Sequence, residues 1–230
     1  MTARSNAIAN IRSHREVLKM RWLHIFGIAA LACATPAQAD GPYFAPELGK
    51  TYFTCNWNEG EKSHPLVILS DFENGWFTTH LRAAKEPSLY LLSKSKPKAQ
   101  PQVVRFTWLR SFHPPVIIRV VADQPTQWRL IGKELSGTGG YKPGVIRQSV
   151  VRTLTRREAA DLQVLLSRAK PFTEEPGDCV IGVDGAEWII EGVDQSGYHF
   201  IKRWSPSDGP VREVGQFLIR LTGWQYQNIY

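Results

Sequence analysis

Cysteine is scarce in this chain, with three in 230 residues, which leaves room for one internal disulfide at most. No apolar run reaches the roughly twenty residues that cross a bilayer, so a transmembrane span is excluded. No internal repeat occurs. The short signatures of common hydrolases are missing too: there is no Gly-x-Ser-x-Gly elbow and no His-Glu-x-x-His helix. A glycine loop at residues 137–144, GTGGYKPG, precedes no phosphate site, because Pro143 and a strand follow Lys142 where a hydroxyl residue and a helix are required. Outside the first forty residues the histidines are His64, His80, His113 and His199, without the close spacing of metal ligands. Neither a metal nor a cofactor is expected.

The amino-terminal residues are specific. Lys19 and Arg21 precede a short apolar run at residues 25–33, followed by Ala37-Gln38-Ala39 and Asp40. A basic start, an apolar centre and small residues at −3 and −1 predict a secretory signal cleaved after Ala39, with translation from Met1 or Met20. Cys33, preceded by Ala30-Leu31-Ala32, fits a lipid-attachment box poorly. Without residues 1–39 the chain keeps 23 basic and 20 acidic residues, net +3. That is no basic stripe, and nucleic acid is not an expected partner. Cys55 and Cys179 remain, and in an oxidising compartment they pair. Closing so long a loop stabilises by about 4–5 kcal/mol in the chain-entropy view, and it joins the two halves of residues 40–230 into one domain.

Patterning predicts an α+β fold: an antiparallel sheet, curved or two-layered, with two packed helices. Residues 51–57, 66–72, 76–81 and 88–93 have strand character, and Glu73-Asn74-Gly75 reads as a hairpin turn between two of them. A charged, proline-bearing loop covers residues 94–101. Residues 103–112, 116–121, 127–135 and 145–154 then form a meander with one wet face. The period changes at Thr155, which with Glu158 makes a capping box for a helix over 156–169. Residues 179–183 make a short strand candidate. A closing helix over 210–222 starts at Asp208-Gly209-Pro210 and ends at Gly223.

The densest chemistry lies in EWIIEGVDQSGYHFIKRWSP, residues 187–206. A turn at residues 194–197 sets Val193 opposite Tyr198, Ile190 opposite Ile201, Trp188 opposite Arg203 and Gly192 opposite His199. His199 and Arg203 then share one face, and Glu187 and Glu191 the other. His199 and Arg203, with Arg110, His113 and Asp184, are the candidate site: histidine shuttles protons and arginine clamps anions. A plainer reading stacks Arg203 on Trp188, sets His199 beside Gly192, and leaves both glutamates in water.

Three stretches carry a resemblance: RFTWLRSFHP at 105–114, GTGGYKPG at 137–144, and DGAEWIIEGVDQSGYHFIKRWSP at 184–206 with the helix after it. Over residues 102–224 the chain resembles a family of secreted bacterial proteins without an assigned activity. It departs at Pro171-Phe172-Thr173, where an aromatic pair is expected. The resemblance implies a bacterial envelope protein and supplies no catalytic residues. The leading expectation is therefore an exported, periplasmic or secreted, non-catalytic module that binds an envelope ligand or protein. The alternatives are a small hydrolase or transferase using His199 with Arg110 or Arg203, and a structural subunit of an envelope complex.

Overall fold

The computed structural model describes residues 41–56, 63–95, 102–124, 127–180 and 182–230, which fall within one compact unit. The predicted signal at 1–39 and most of the charged loop at 94–101 lie outside the described residues.

The fold is α+β. Strands β1 (Tyr52–Cys55) and β2 (His64–Val67) pair in a small antiparallel sheet. Helices α1 (Asp71–Ala83) and α2 (Leu89–Ser95) follow. Strands β3 (Val103–Arg110), β4 (Val116–Gln124), β5 (Gln127–Leu135) and β6 (Ile146–Thr153) form the meander. Helix α3 (Arg156–Ala169) comes next, then the hairpin β7 (Ala186–Asp194) and β8 (Gly197–Trp204), and finally α4 (Gly209–Thr222). The large sheet runs β6-β5-β4-β3-β7-β8, with every described pair antiparallel.

Two sequence expectations are corrected here. Residues 76–81 and 89–93 are helical, and 73–75 lie inside α1 instead of making a turn. The cause is a capping box one turn earlier. Ser70 Oγ accepts from the Glu73 amide at 3.3 Å, and Glu73 Oε2 accepts from the Ser70 amide at 2.9 Å. Phe77 and Leu81 then bury one helical stripe, while Gly75 sits exposed on the outer face, where it costs about 1 kcal/mol relative to alanine. The described residues of the predicted strand at 179–183, which are 179–180 and 182–183, are not a strand either.

The second correction follows from the first. The sheet has no wet face at its centre: every residue of β3 is buried. One face, with Phe106, Trp108 and Trp188, packs under α3 and α4. Gly215 lets α4 approach, because a Cβ there would lie 2.5 Å from Trp188 Cζ3. The other face, with Leu109, Ile117 and Ile189, packs under Phe44, Phe53, Phe77 and Leu81 of the amino-terminal layer. Cys55 and Cys179 are disulfide-bonded across a sequence separation of 124, with Cα atoms 5.4 Å apart. Among the described residues no helix is long and apolar enough to cross a membrane.

Candidate functional site

The hairpin register is the one its sequence predicts, Trp188 opposite Arg203 and Gly192 opposite His199. The candidate residues on it do not converge with those of the meander. Arg110 is paired with Ala186 at one end of β7, and His199 with Gly192 near the other. Six residues of strand separate them, about 20 Å at the rise of a strand.

Arg110, His113, His199 and Arg203 each have local partners, although Arg110 Nε is buried without one among the described residues. Arg110 lies 4.2 Å from the Trp108 ring and 4.8 Å from that of Tyr226, and donates to the Pro114 carbonyl at 2.6 Å. Burial pulls its pKa down. His113 is exposed and meets the Tyr230 hydroxyl. His199 stacks on Phe172, centroids 5.0 Å apart, and its Nε2 meets Asp194 Oδ1 at 3.0 Å and Ser196 Oγ at 2.9 Å. Serine and aspartate thus share one ring nitrogen, so no proton relay runs from one side of the imidazole to the other. Arg203 donates to the Gly177 carbonyl at 3.2 Å and to Glu174 at 3.0 Å. It does not stack on Trp188, whose cationic neighbour is Arg212 at 4.9 Å. Asp184 is exposed in the loop before β7. Among the described residues no group of three or more His, Cys, Asp or Glu side chains is placed to hold a metal.

The two glutamates expected in water are instead buried: Glu187 is 5% exposed and Glu191 is 0%. Their face of the hairpin lies under the amino-terminal layer. Glu191 belongs to a charge network. Arg105 donates to its Oε2 through Nε at 2.8 Å and Nη2 at 2.6 Å, and the Tyr198 hydroxyl donates to Oε1 at 2.9 Å. Nearby, Glu86 is bonded by Arg119 and Lys133, at 2.7 and 2.6 Å. Burial opposes its charge, but Arg119, Arg105 and Lys133 together outweigh it and hold its pKa down.

Glu187 has a different setting. It lines a cleft of about 410 Å³ at the seam between β1–β2, the start of α1, and the β7–β8 hairpin. Phe53, Phe72, Trp76 and Trp204 wall it, and Glu73, Asp178 and Lys202 face it. Each is fixed by the local fold. Glu73 caps α1 with one oxygen and holds the Lys202 ammonium with the other. Asp178 is adjacent to Cys179, so the disulfide ties its loop to β1, and it accepts the Trp204 amide at 3.1 Å. Trp204 packs onto backbone that only glycine permits: a Cβ at Gly182 would lie 1.9 Å from Trp204 Nε1. The Trp76 indole N–H is spent on the Gly139 carbonyl at 2.6 Å, which leaves its ring to the cleft.

Electrostatics set the state of the floor. Burial pushes the Glu187 carboxyl up to about 8; Lys202 and Arg203 pull it down, and Glu73 and Asp178 push it further up. At neutral pH it is an uncharged acid, able to donate a hydrogen bond or a proton. Burial raises Asp178 as well, against the Trp204 amide and the charges of Arg203 and Lys202. A perturbed carboxyl in an aromatic-walled cleft is the arrangement that marks a binding or catalytic site. The capping box at Ser70 was the available signal, since it places a helix over the hairpin. A second cavity of about 590 Å³ lies between the end of α3 and the tips of β3 and β7, beside Phe172 and His199.

No protein-family model matches the chain, and no curated protein matches it at a significant level.

Proposed function

We propose that the protein is an exported, non-catalytic module that binds a small envelope ligand in the Glu187 cleft. One observation carries the reading: Glu187 is 5% exposed, makes no hydrogen bond or ion pair to a described residue, and opens into a cleft walled by two tryptophans. The Glu187 oxygens keep some contact with solvent through the cleft, and a bound ligand takes the place of that solvent as their partner. Export is supported by the signal pattern at residues 19–39 and by the disulfide, which persists in oxidising compartments. The resemblance to secreted bacterial proteins agrees with it. A second reading, a subunit of an envelope complex, rests on Phe112 and Tyr141, which are 55% and 66% exposed with rings 6.3 Å apart.

The test is a thermal-shift screen of the purified protein against envelope glycans, lipids, metals, small anions and amines. A ligand at about a hundred times its dissociation constant stabilises by roughly 2.7 kcal/mol. The shift is expected to vanish in Trp204→Ala and to persist in His199→Ala and Arg110→Ala. A shift that survives Trp204→Ala, or one lost in His199→Ala, moves the site away from this cleft.

A further inference from the structure

We propose that the cleft takes a primary alkylammonium group, seated against the Trp76 and Trp204 rings with its N–H donors on Glu187 and Asp178. This rests on the cleft being the binding site and names what it binds.

The charges facing the cleft select the class. Lys202 is already held by Glu73, and Arg203, behind it on β8, by Glu174. Asp178 and Glu187 are left as carboxyls without an ion pair among the described residues. An anionic ligand meets the Asp178 carboxyl and no uncommitted cation, with only the Glu187 O–H to donate to it. A cation meets two acceptors and two indole rings, the surfaces that attract positive charge. Phe72, 77% exposed at the rim, and Val180, 57% exposed, fit the hydrocarbon stem behind an ammonium.

The proton balance follows. In the empty cleft Glu187 carries a proton up to about pH 8. An arriving ammonium pairs with the carboxylate, the O–H bond breaks, and the proton passes to the buffer, with no other reactant. The amine keeps its own proton, since a primary alkylamine titrates near 10.4. The groups facing Glu187 are Lys202 and Arg203 from β8, Glu73 from α1 and Asp178 from the disulfide-tied loop. None of these is displaced.

The experiment is isothermal titration calorimetry at pH 6, 7 and 8, in buffers of different ionisation enthalpy. The probes are 1,5-diaminopentane, Nα-acetyl-lysine methylamide, tetramethylammonium and neutral 1,5-pentanediol. The first two separate a free amine from a lysyl side chain as the source of the ammonium. The expected result is binding about tenfold tighter at pH 7 than at pH 6, with about one proton released per ligand. Tetramethylammonium, which has charge but no N–H, binds more weakly, and pentanediol does not bind. Glu187→Gln removes the pH dependence, and Trp204→Ala weakens binding at every pH. Asp178→Asn, which leaves Glu187 in place, weakens binding and keeps the proton release. Absence of amine binding at 10 mM or so overturns the ligand class, as does pentanediol binding as well as the diamine. The cleft reading then stands or falls separately, on whether any other ligand's thermal shift is lost in Trp204→Ala. Amine binding unchanged in both Glu187→Gln and Trp204→Ala overturns the site itself.

Discussion

Glu187 and Glu191 stand four residues apart on the same face of the same strand, and both are buried. Strand register separates their fates. Across the β3–β7 ladder Glu191 faces Arg105, while Glu187 faces Leu109. One carboxylate therefore has a guanidinium on one oxygen and a tyrosine hydroxyl on the other. The other has an aliphatic neighbour and an open cleft. Burial pushes both pKa values up, but at Glu191 Arg105 and Tyr198 oppose it through direct hydrogen bonds, and at Glu187 only charges without such bonds do so. A buried acid with a cross-strand arginine is part of the architecture. A buried acid facing leucine and a cleft is a group held ready for something else.

The largest effect belongs to the paired acid. Glu191→Gln leaves Arg105 fully buried and exchanges its carboxylate partner for a neutral amide oxygen, with the Pro87 carbonyl at 2.6 Å and Glu86 at 3.9 Å as its other acceptors. Removing one partner of a buried pair costs about 3–5 kcal/mol, and because Glu86 still compensates part of the Arg105 charge, urea unfolding is expected to show a loss toward the lower end of that range. Replacing both partners, as Arg105→Met with Glu191→Met, recovers most of it. A single substitution that costs under about 1 kcal/mol removes the contrast with Glu187.

Glu187→Gln acts in the opposite direction and depends on pH. Its carboxyl titrates at about 8 in the fold and at 4.5 without it. The folded state therefore binds the extra proton between those values. Stability from this group is fully present below 4.5, falls as pH rises, and is lost through 8. From pH 4.5 to 7 the loss amounts to about 3 kcal/mol at 1.36 kcal/mol for each pH unit. Unfolding measured across that range should decline in the parent protein and run flatter in Glu187→Gln, with the variant the more stable of the two at pH 8. Parallel profiles would place the Glu187 carboxyl in water.

Much of this fold was legible in its residues. The β7–β8 register follows from a single turn, because strand side chains alternate and one fixed pair fixes the rest. Helices α3 and α4 carry their own punctuation in Thr155, Glu158, Asp208 and Gly223. The disulfide follows from there being no other cysteine for Cys55 to meet past residue 39. What stayed hidden was the second layer. Asn74-Gly75 outweighed Ser70-x-x-Glu73, so α1 read as strand and its face of the sheet read as wet. Every consequence for the site follows from that one substitution of water for a helix. With that face taken as wet, the sequence puts both glutamates in water and leaves His199 and Arg203, on the opposite face, as the candidates. Pairing of β3 with β7 is non-local, and no short window of sequence sets Arg105 against Glu191.

The smallest effect sharpens the comparison most. Tyr198→Phe deletes the bond to Glu191 Oε1 and leaves both arginine bonds in place. A hydrogen bond to a charged group contributes about 1.5–3 kcal/mol, and the half-buried tyrosine ring stays to pack, so a loss near 1.5 kcal/mol is expected at pH 7. The substitution moves Glu191 one step toward the condition of Glu187 without opening a cleft. If the guanidinium is what makes Glu191 architectural, Tyr198→Phe costs no more than about half of Glu191→Gln and leaves binding at the Glu187 cleft unchanged. Equal losses in the two variants would mean that the hydroxyl, not the ion pair, separates the two acids. Register against Arg105 would then be the wrong explanation for why one glutamate is spent and its neighbour is free.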